Sequence, residues 1–161
     1  MSAKIIPRPE VRALGTQLRE EGSRIAFANG CFDLLHVGHV RYLRAAREQG
    51  DVLVVGVNGD RAVTALKGEG RPLLPAEARA ELIAALESVD YVVIFGEVRA
   101  THLLEKVRPA IYVKGGDYTL ETLDAEERAV LERVGAEIKI LPFEKGYSTS
   151  GLVDSLKRRS T

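Results

Sequence analysis

The sequence predicts an α/β protein, a Rossmann-like, doubly wound parallel sheet of five strands forming a single domain over residues 1–161. Three observations carry this expectation. Short apolar runs alternate with amphipathic stretches of helix length along the whole chain. Runs such as Val52 to Val57 and Tyr91 to Phe95 are apolar almost without break, as suits parallel strands buried on both faces. The polar clusters each follow a strand, so a parallel sheet would gather them on one rim, where such sheets bind ligands.

Each element has its own warrant. Ile5 to Glu21 reads as a leading helix, with Val11, Leu14 and Leu18 on one face, and Gly22-Ser23 ends it. Arg24 to Ala28 is the first strand. Val40 to Arg47 is an amphipathic helix, with Gly50 as its expected C-cap. Asp51 to Asn58 is the second strand, and a short helix follows to Leu66. Pro75 suits the first turn of a helix running to Leu86. Tyr91 to Phe95 is a strand, Thr101 to Val107 a helix, Ala110 to Lys114 a strand and Leu123 to Val134 a helix. Glu137 to Leu141 is the last strand, and a final helix runs to about Arg159.

Composition narrows the function. The chain has 161 residues, 45% of them apolar, which is enough for one core. Lys and Arg number 23 and Asp and Glu also 23, so nothing points to nucleic acid or a membrane surface. No run could span a bilayer, and Met1 to Lys4 does not open a signal peptide. The one cysteine, Cys31, cannot pair internally, so a cytoplasmic setting is expected. Its neighbours mark it as a small buried hydrophobe, not a nucleophile.

The chain is organised around Asn29 to His39, a strand-to-helix turn. Free amides and the helix dipole favour an anion there. His36 and His39 are three residues apart and share a helical face, and Gly38 between them lets a ligand come close to the backbone. Four further clusters stand out, three of them after strands. Asn58 and Asp60 end the second strand. Lys67 to Pro72 is a basic glycine-containing loop able to close over polyphosphate, and Arg79 on the next helix could reach a substrate phosphate. Lys114-Gly115-Gly116-Asp117-Tyr118 offers backbone N–H groups and an acceptor. Ser148-Thr149 could cap the last helix, bind phosphate, or do both. Taken singly, the Lys67 loop could be a solvated connector and the Lys114 segment a simple turn. His102 stands alone and reads as a surface or packed residue.

The His36-Val37-Gly38-His39 turn resembles the HxGH signature of the nucleotidyltransferase superfamily, relatives of the class I aminoacyl-tRNA synthetases. In that superfamily the two histidines hold nucleotide phosphates during attack on the α-phosphorus. Within it, Val57-Asn58-x-Asp60, Leu66-Lys67-Gly68-x-x-Arg71-Pro72, Pro75-x-x-x-Arg79, Leu86-Glu87-x-Val89-Asp90 and Val113 to Tyr118 resemble the bacterial heptose 1-phosphate adenylyltransferases. These occur alone or fused behind a sugar kinase of the ribokinase type. Glycerol 3-phosphate cytidylyltransferases are similar but carry Arg-Thr-x-Gly-Ile-Ser-Thr-Thr. The matching stretch here, Phe143 to Ser150, lacks that arginine.

The resemblance implies transfer of AMP from ATP to D-glycero-β-D-manno-heptose 1-phosphate, giving ADP-heptose for lipopolysaccharide or related glycans. It implies His36, His39 and Lys67 as catalytic. Gly30, Cys31, Phe32, Asp33 and Gly38 would bind nucleotide, with Lys114, Gly115, Asp117, Ser148 and Thr149. Asn58, Asp60, Arg71 and Arg79 would bind the acceptor. Mg²⁺ would come with ATP, without a dedicated protein metal site, and Asp33 is a candidate for a structural or metal-organising role. A cytidylyltransferase acting on glycerol 3-phosphate or another small phosphorylated alcohol is the alternative. A non-catalytic nucleotide-binding module would not need paired imidazoles, and an RNA-acting protein would need more positive charge. Homo-oligomerisation and a partner sugar kinase stay open.

Overall fold

The computed structural model describes residues 2–142 and 146–160. Phe143, Glu144 and Lys145 of the arginine-free segment lie outside them. The expected sheet is present: five parallel strands in the order β3-β2-β1-β4-β5. The strands are β1 (Ile25–Gly30), β2 (Val52–Asn58), β3 (Tyr91–Phe95), β4 (Ile111–Lys114) and β5 (Glu137–Ile140). Between and around them run α1 (Val11–Glu20), α2 (Val37–Arg47), α3 (Asp60–Lys67), α4 (Ala76–Ala84), α5 (Thr101–Val107), α6 (Ala125–Val134) and α7 (Thr149–Arg159). No helix among the described residues is long and apolar enough to cross a membrane.

Alternation along β1 divides the core into two layers. Ile25 and Phe27 pack with Leu103, Leu104, Val130 and Leu131 under α5 and α6. Ala26 and Ala28 pack with Leu43, Ala46, Ala80 and Ile83 under α2 and α4.

The register locates the crevice. β1 pairs with β2 along its whole length, up to Gly30↔Val57. Its ladder with β4 holds only Ala26↔Ile111 and Phe27↔Tyr112, although both strands run on. The sheet therefore parts between the C-terminal ends of β1 and β4, where chain order reverses. That is where open α/β sheets bind ligands.

The chain departs from the expected elements at two places. The leading helix does not begin at Ile5. Val92 donates to Lys4 O and Ile6 donates to Val92 O, so this segment extends the sheet beside β3. Pro7 and Pro9 then allow only a 3₁₀ turn (Arg8–Glu10) before α1. Gly50 is not a helix cap either, since α2 ends on Glu48 in ordinary helical geometry. Its lack of a side chain serves packing: a Cβ there would lie 2.6 Å from Arg24 O.

A second close approach gives a test. Gly15 of α1 faces the end of α5, and a Cβ there would lie 2.7 Å from Val107 O. Alanine in a helix is favoured over glycine by about 1 kcal/mol. Here the backbone of α5 must move to admit the methyl, so Gly15→Ala should destabilise the fold by about 1–3 kcal/mol in urea unfolding.

Candidate active site

The parting of β1 and β4 opens a cleft of about 1160 Å³. A single small ligand fills roughly 300–1,000 Å³, so nucleotide and acceptor can share this space. Its walls come from the turn after β1, the end of β2, the loop after α3, the segment after β4 and the start of α7.

The histidines stand at the N-terminus of α2. His36 is the N-cap, in extended geometry. Its backbone N–H donates to His39 Nδ1 at 3.2 Å. That bond assigns the His39 tautomer, with Nδ1 accepting and Nε2 carrying the proton. The rings stack at 3.8 Å between centroids, and Phe32 meets His39 edge-on at 5.5 Å. Burial, with the His36 charge adding to it, pushes the His39 pKa down to about 4, and burial lowers that of His36 too. The pair is thus neutral at ordinary pH, and His39 is a hydrogen-bond donor, not a cation. His36 Nδ1 is buried with no partner among the described residues. Gly38 also has a role the sequence did not show. A Cβ would lie 2.8 Å from His36 Cε1, so the glycine makes room for the imidazole itself.

Asp33 builds the adjoining loop. Its carboxylate is 2% exposed and accepts from Leu73 N–H (2.8 Å), Leu74 N–H (3.1 Å) and Arg71 Nε (2.9 Å). Burial disfavours its charge, but those donors outweigh burial and hold it below the ordinary carboxylate range. Its oxygens tie the Arg71–Leu74 segment to the motif turn. Arg71 lines the cleft but is ion-paired to Asp33. Lys67 lines it from the exposed C-terminus of α3.

Arg79 corrects an expectation. It is fully buried and does not line the cleft. Its guanidinium donates to Leu74 O, Cys31 O, Asn58 O and Asp60 Oδ1 at 2.6–2.9 Å. Burial and these four acceptors leave it unable to meet a substrate phosphate. It fixes the floor of the site instead. Asp60 likewise stands outside the cleft, paired with Arg79. Asn58 does line it, with Nδ2 donating to Glu97 O and Val98 O.

The far wall carries Lys114, Gly115 and Asp117. Lys114 Nζ lies 4.7 Å from the Tyr118 ring centroid and 5.7 Å from that of Tyr112. Burial lowers its pKa, partly offset by the charge of Glu127. At α7, Ser148 Oγ accepts from Gly151 N–H, which makes it the cap. Thr149 Oγ1 donates to Asp33 O at 2.7 Å and pins α7 to the motif turn. Both residues line the cleft. Gly30, Cys31 and Phe32 line it as well, and burial pushes the Cys31 thiol up toward its protonated form. His102 lies on the surface beside Glu105.

Sequence reasoning passed over Asn29, Glu127 and Tyr147, which also line the cleft. Glu127 left a signal. It falls on the buried stripe of α6 with Val130 and Leu131, an unusual place for a carboxylate.

Neutral imidazoles, lysines and two helix N-termini around one cleft suit a nucleotidyltransferase, whose site has to gather phosphates. The chain belongs to the cytidylyltransferase-like family, whose family model matches residues 27–154. It is 48% identical over 138 residues to the bifunctional protein HldE of Geobacter sulfurreducens, and 53% identical over 136 residues to that of a Bradyrhizobium species. Those matches cover 86% and 84% of this chain but only 28% and 27% of the relatives' own lengths. A crystal structure of a lipopolysaccharide core biosynthesis protein from Thermoplasma volcanium is 32% identical, with a TM-score of 0.63, covering 79% of this chain and all of that one. A pantoate-β-alanine ligase from Francisella tularensis, 12% identical with a TM-score of 0.61, shares the fold; the match covers 99% of this chain and 79% of that one.

The neutral histidine has a consequence for acid stability. The unfolded chain takes up a proton near the ordinary value of 6.5, while folded His39 resists until about 4. His39 therefore costs no stability above about pH 6.5, and stability falls as pH drops from there toward 4. In thermal unfolding at pH 7 and pH 5, His39→Asn should lose less stability on acidification than the parent.

Proposed function

We propose that the chain transfers AMP from ATP to D-glycero-β-D-manno-heptose 1-phosphate, giving ADP-heptose and pyrophosphate. The carrying observation is the stacked, neutral His36–His39 pair at the start of α2, in a cleft that Lys67 and Lys114 also line. The arginine-free Phe143 to Ser150 stretch and the Lys114 to Tyr118 segment favour the heptose acceptor over glycerol phosphate. Relatives named HldE support the same choice.

In this reading an acceptor phosphate oxygen attacks the α-phosphorus of ATP. A new P–O bond forms as the α–β bridge breaks and pyrophosphate leaves. The nucleophile is already ionised, so catalysis consists of positioning and charge stabilisation. His39 Nε2–H and His36 face phosphate oxygens. Lys67 and Lys114 neutralise charge on the transferring group, and the α7 amides take the outer phosphates. Asn58 and Arg71 lie toward the acceptor. Among the described residues no three His, Cys, Asp or Glu side chains cluster for a metal. Mg²⁺ fits as a companion of the triphosphate, held by phosphate oxygens and water, where it would neutralise phosphate charge. A sugar kinase is the partner that would supply the acceptor.

Pyrophosphate release across four nucleoside triphosphates and a panel of phosphorylated acceptors tests this reading. ATP with heptose 1-phosphate should turn over fastest; a wide lead for CTP with glycerol 3-phosphate overturns it.

The histidine roles have their own test. Charge on the α-phosphate and the departing pyrophosphate grows during transfer, so a donor there helps the transition state most. His36→Ala and His39→Ala should each lower kcat by about 10²–10³-fold while calorimetric ATP affinity changes little. Near-normal kcat in both variants would make them packing residues.

A further inference from the structure

At the floor of the cleft one hydroxyl proton lies between two acceptors. Tyr112 Oη is 3.0 Å from Asn29 Oδ1 and 3.1 Å from Glu127 Oε2. A phenol donates one proton, and an ionised carboxylate only accepts. Ala100 N–H donates to the other Glu127 oxygen at 2.8 Å, so Glu127 serves as an acceptor on both sides. With Glu127 accepting, both Tyr112 contacts are satisfied by the Asn29 amide turned over. Nδ2 donates to Tyr112 Oη, and Tyr112 donates on to Glu127. The two ends of an amide are assigned by such networks.

This order leaves the Asn29 carbonyl oxygen as the end without a partner among the described residues. Tyr112 and Glu127 are buried, but Asn29 is half-exposed and lines the cleft. It stands just beyond the last β1–β4 pair, Phe27↔Tyr112, where the strands part. A buried phenol and carboxylate thus hold one carbonyl acceptor in a fixed direction at the mouth of the crevice.

We propose that Asn29 reads a ribose hydroxyl of the bound nucleotide, with Tyr112 and Glu127 as positioning residues that fix its amide. The inference rests on the nucleotide-transfer reading. His36 and His39 follow the same strand and gather phosphates, and the group next to the α-phosphate is the ribose. Its hydroxyls are the donors a lone carbonyl selects. Hydroxyls of the acceptor sugar share this chemistry, so the test uses nucleotide alone.

Calorimetric titration of the full chain with Mg²⁺ and ATP, 2′-deoxy-ATP or 3′-deoxy-ATP decides it. The parent should bind ATP about fivefold to tenfold more tightly than one of the two analogues, the worth of one hydrogen bond. Asn29→Ala should bind all three alike. Tyr112→Phe, which touches no ligand, should shrink the same ratio, whereas a merely structural loss would weaken all three in step. If Tyr112→Phe does not fold, Asn29→Ala and Glu127→Gln carry the test. A parent that binds ATP but shows no preference, or an Asn29→Ala that keeps it, overturns the inference and leaves the nucleotide reading standing. A ratio unchanged in Tyr112→Phe overturns the positioning role. A parent that binds no ATP overturns both.

Discussion

The buried guanidinium of Arg79 is the tie on which the site depends. It takes the carbonyls of Cys31, Asn58 and Leu74, which belong to the ends of β1 and β2 and to the approach to α4. Buried without partners, each of these carbonyls would cost free energy. One planar fork of donors satisfies all three and pairs with Asp60 besides. A lysine could not span them in this way. Desolvating the charge is expensive, and several acceptors together offset it.

Around that tie the motif turn is closed from both sides. Asp33 draws in Leu73, Leu74 and Arg71 through its side chain and Thr149 through its carbonyl. Phe32 and Leu34 have left-handed φ values of 49° and 55°, which bulky residues rarely adopt. Strain of this kind persists where surrounding bonds over-determine the backbone. Here the protein's own bonds set the turn, and preorganisation of this sort favours charge stabilisation in a transition state.

Much of this was legible in the sequence because periodicity reports burial. β2, β3 and α5 fall within a residue of the expected bounds, and for the two strands burial on both faces of the sheet leaves little freedom. The segment at Ile5 was misread because apolar spacing continued backwards through two prolines that forbid the helix. The motif histidines, Lys67, Lys114 and the α7 cap stand out in the sequence by residue type, and all of them line the cleft. Arg79 was placed in the site for the wrong job: an arginine code reads the same whether its donors face phosphate or main-chain carbonyls. The Asn29–Tyr112–Glu127 chain joins residues 83 and 15 positions apart, and only the folded chain brings them together. Its one visible trace was a carboxylate on the apolar stripe of α6.

The glycine beneath His36 also constrains how such a sequence can change over time. Any side chain at position 38 collides with the imidazole at position 36, and the Tyr147 Cβ lies 3.1 Å away as well. The two motif positions are therefore not independent sites of variation. A larger residue at 38 has to displace the ring at 36 from its stack on His39, so the two positions vary together and a chain that keeps the imidazole in place favours the glycine.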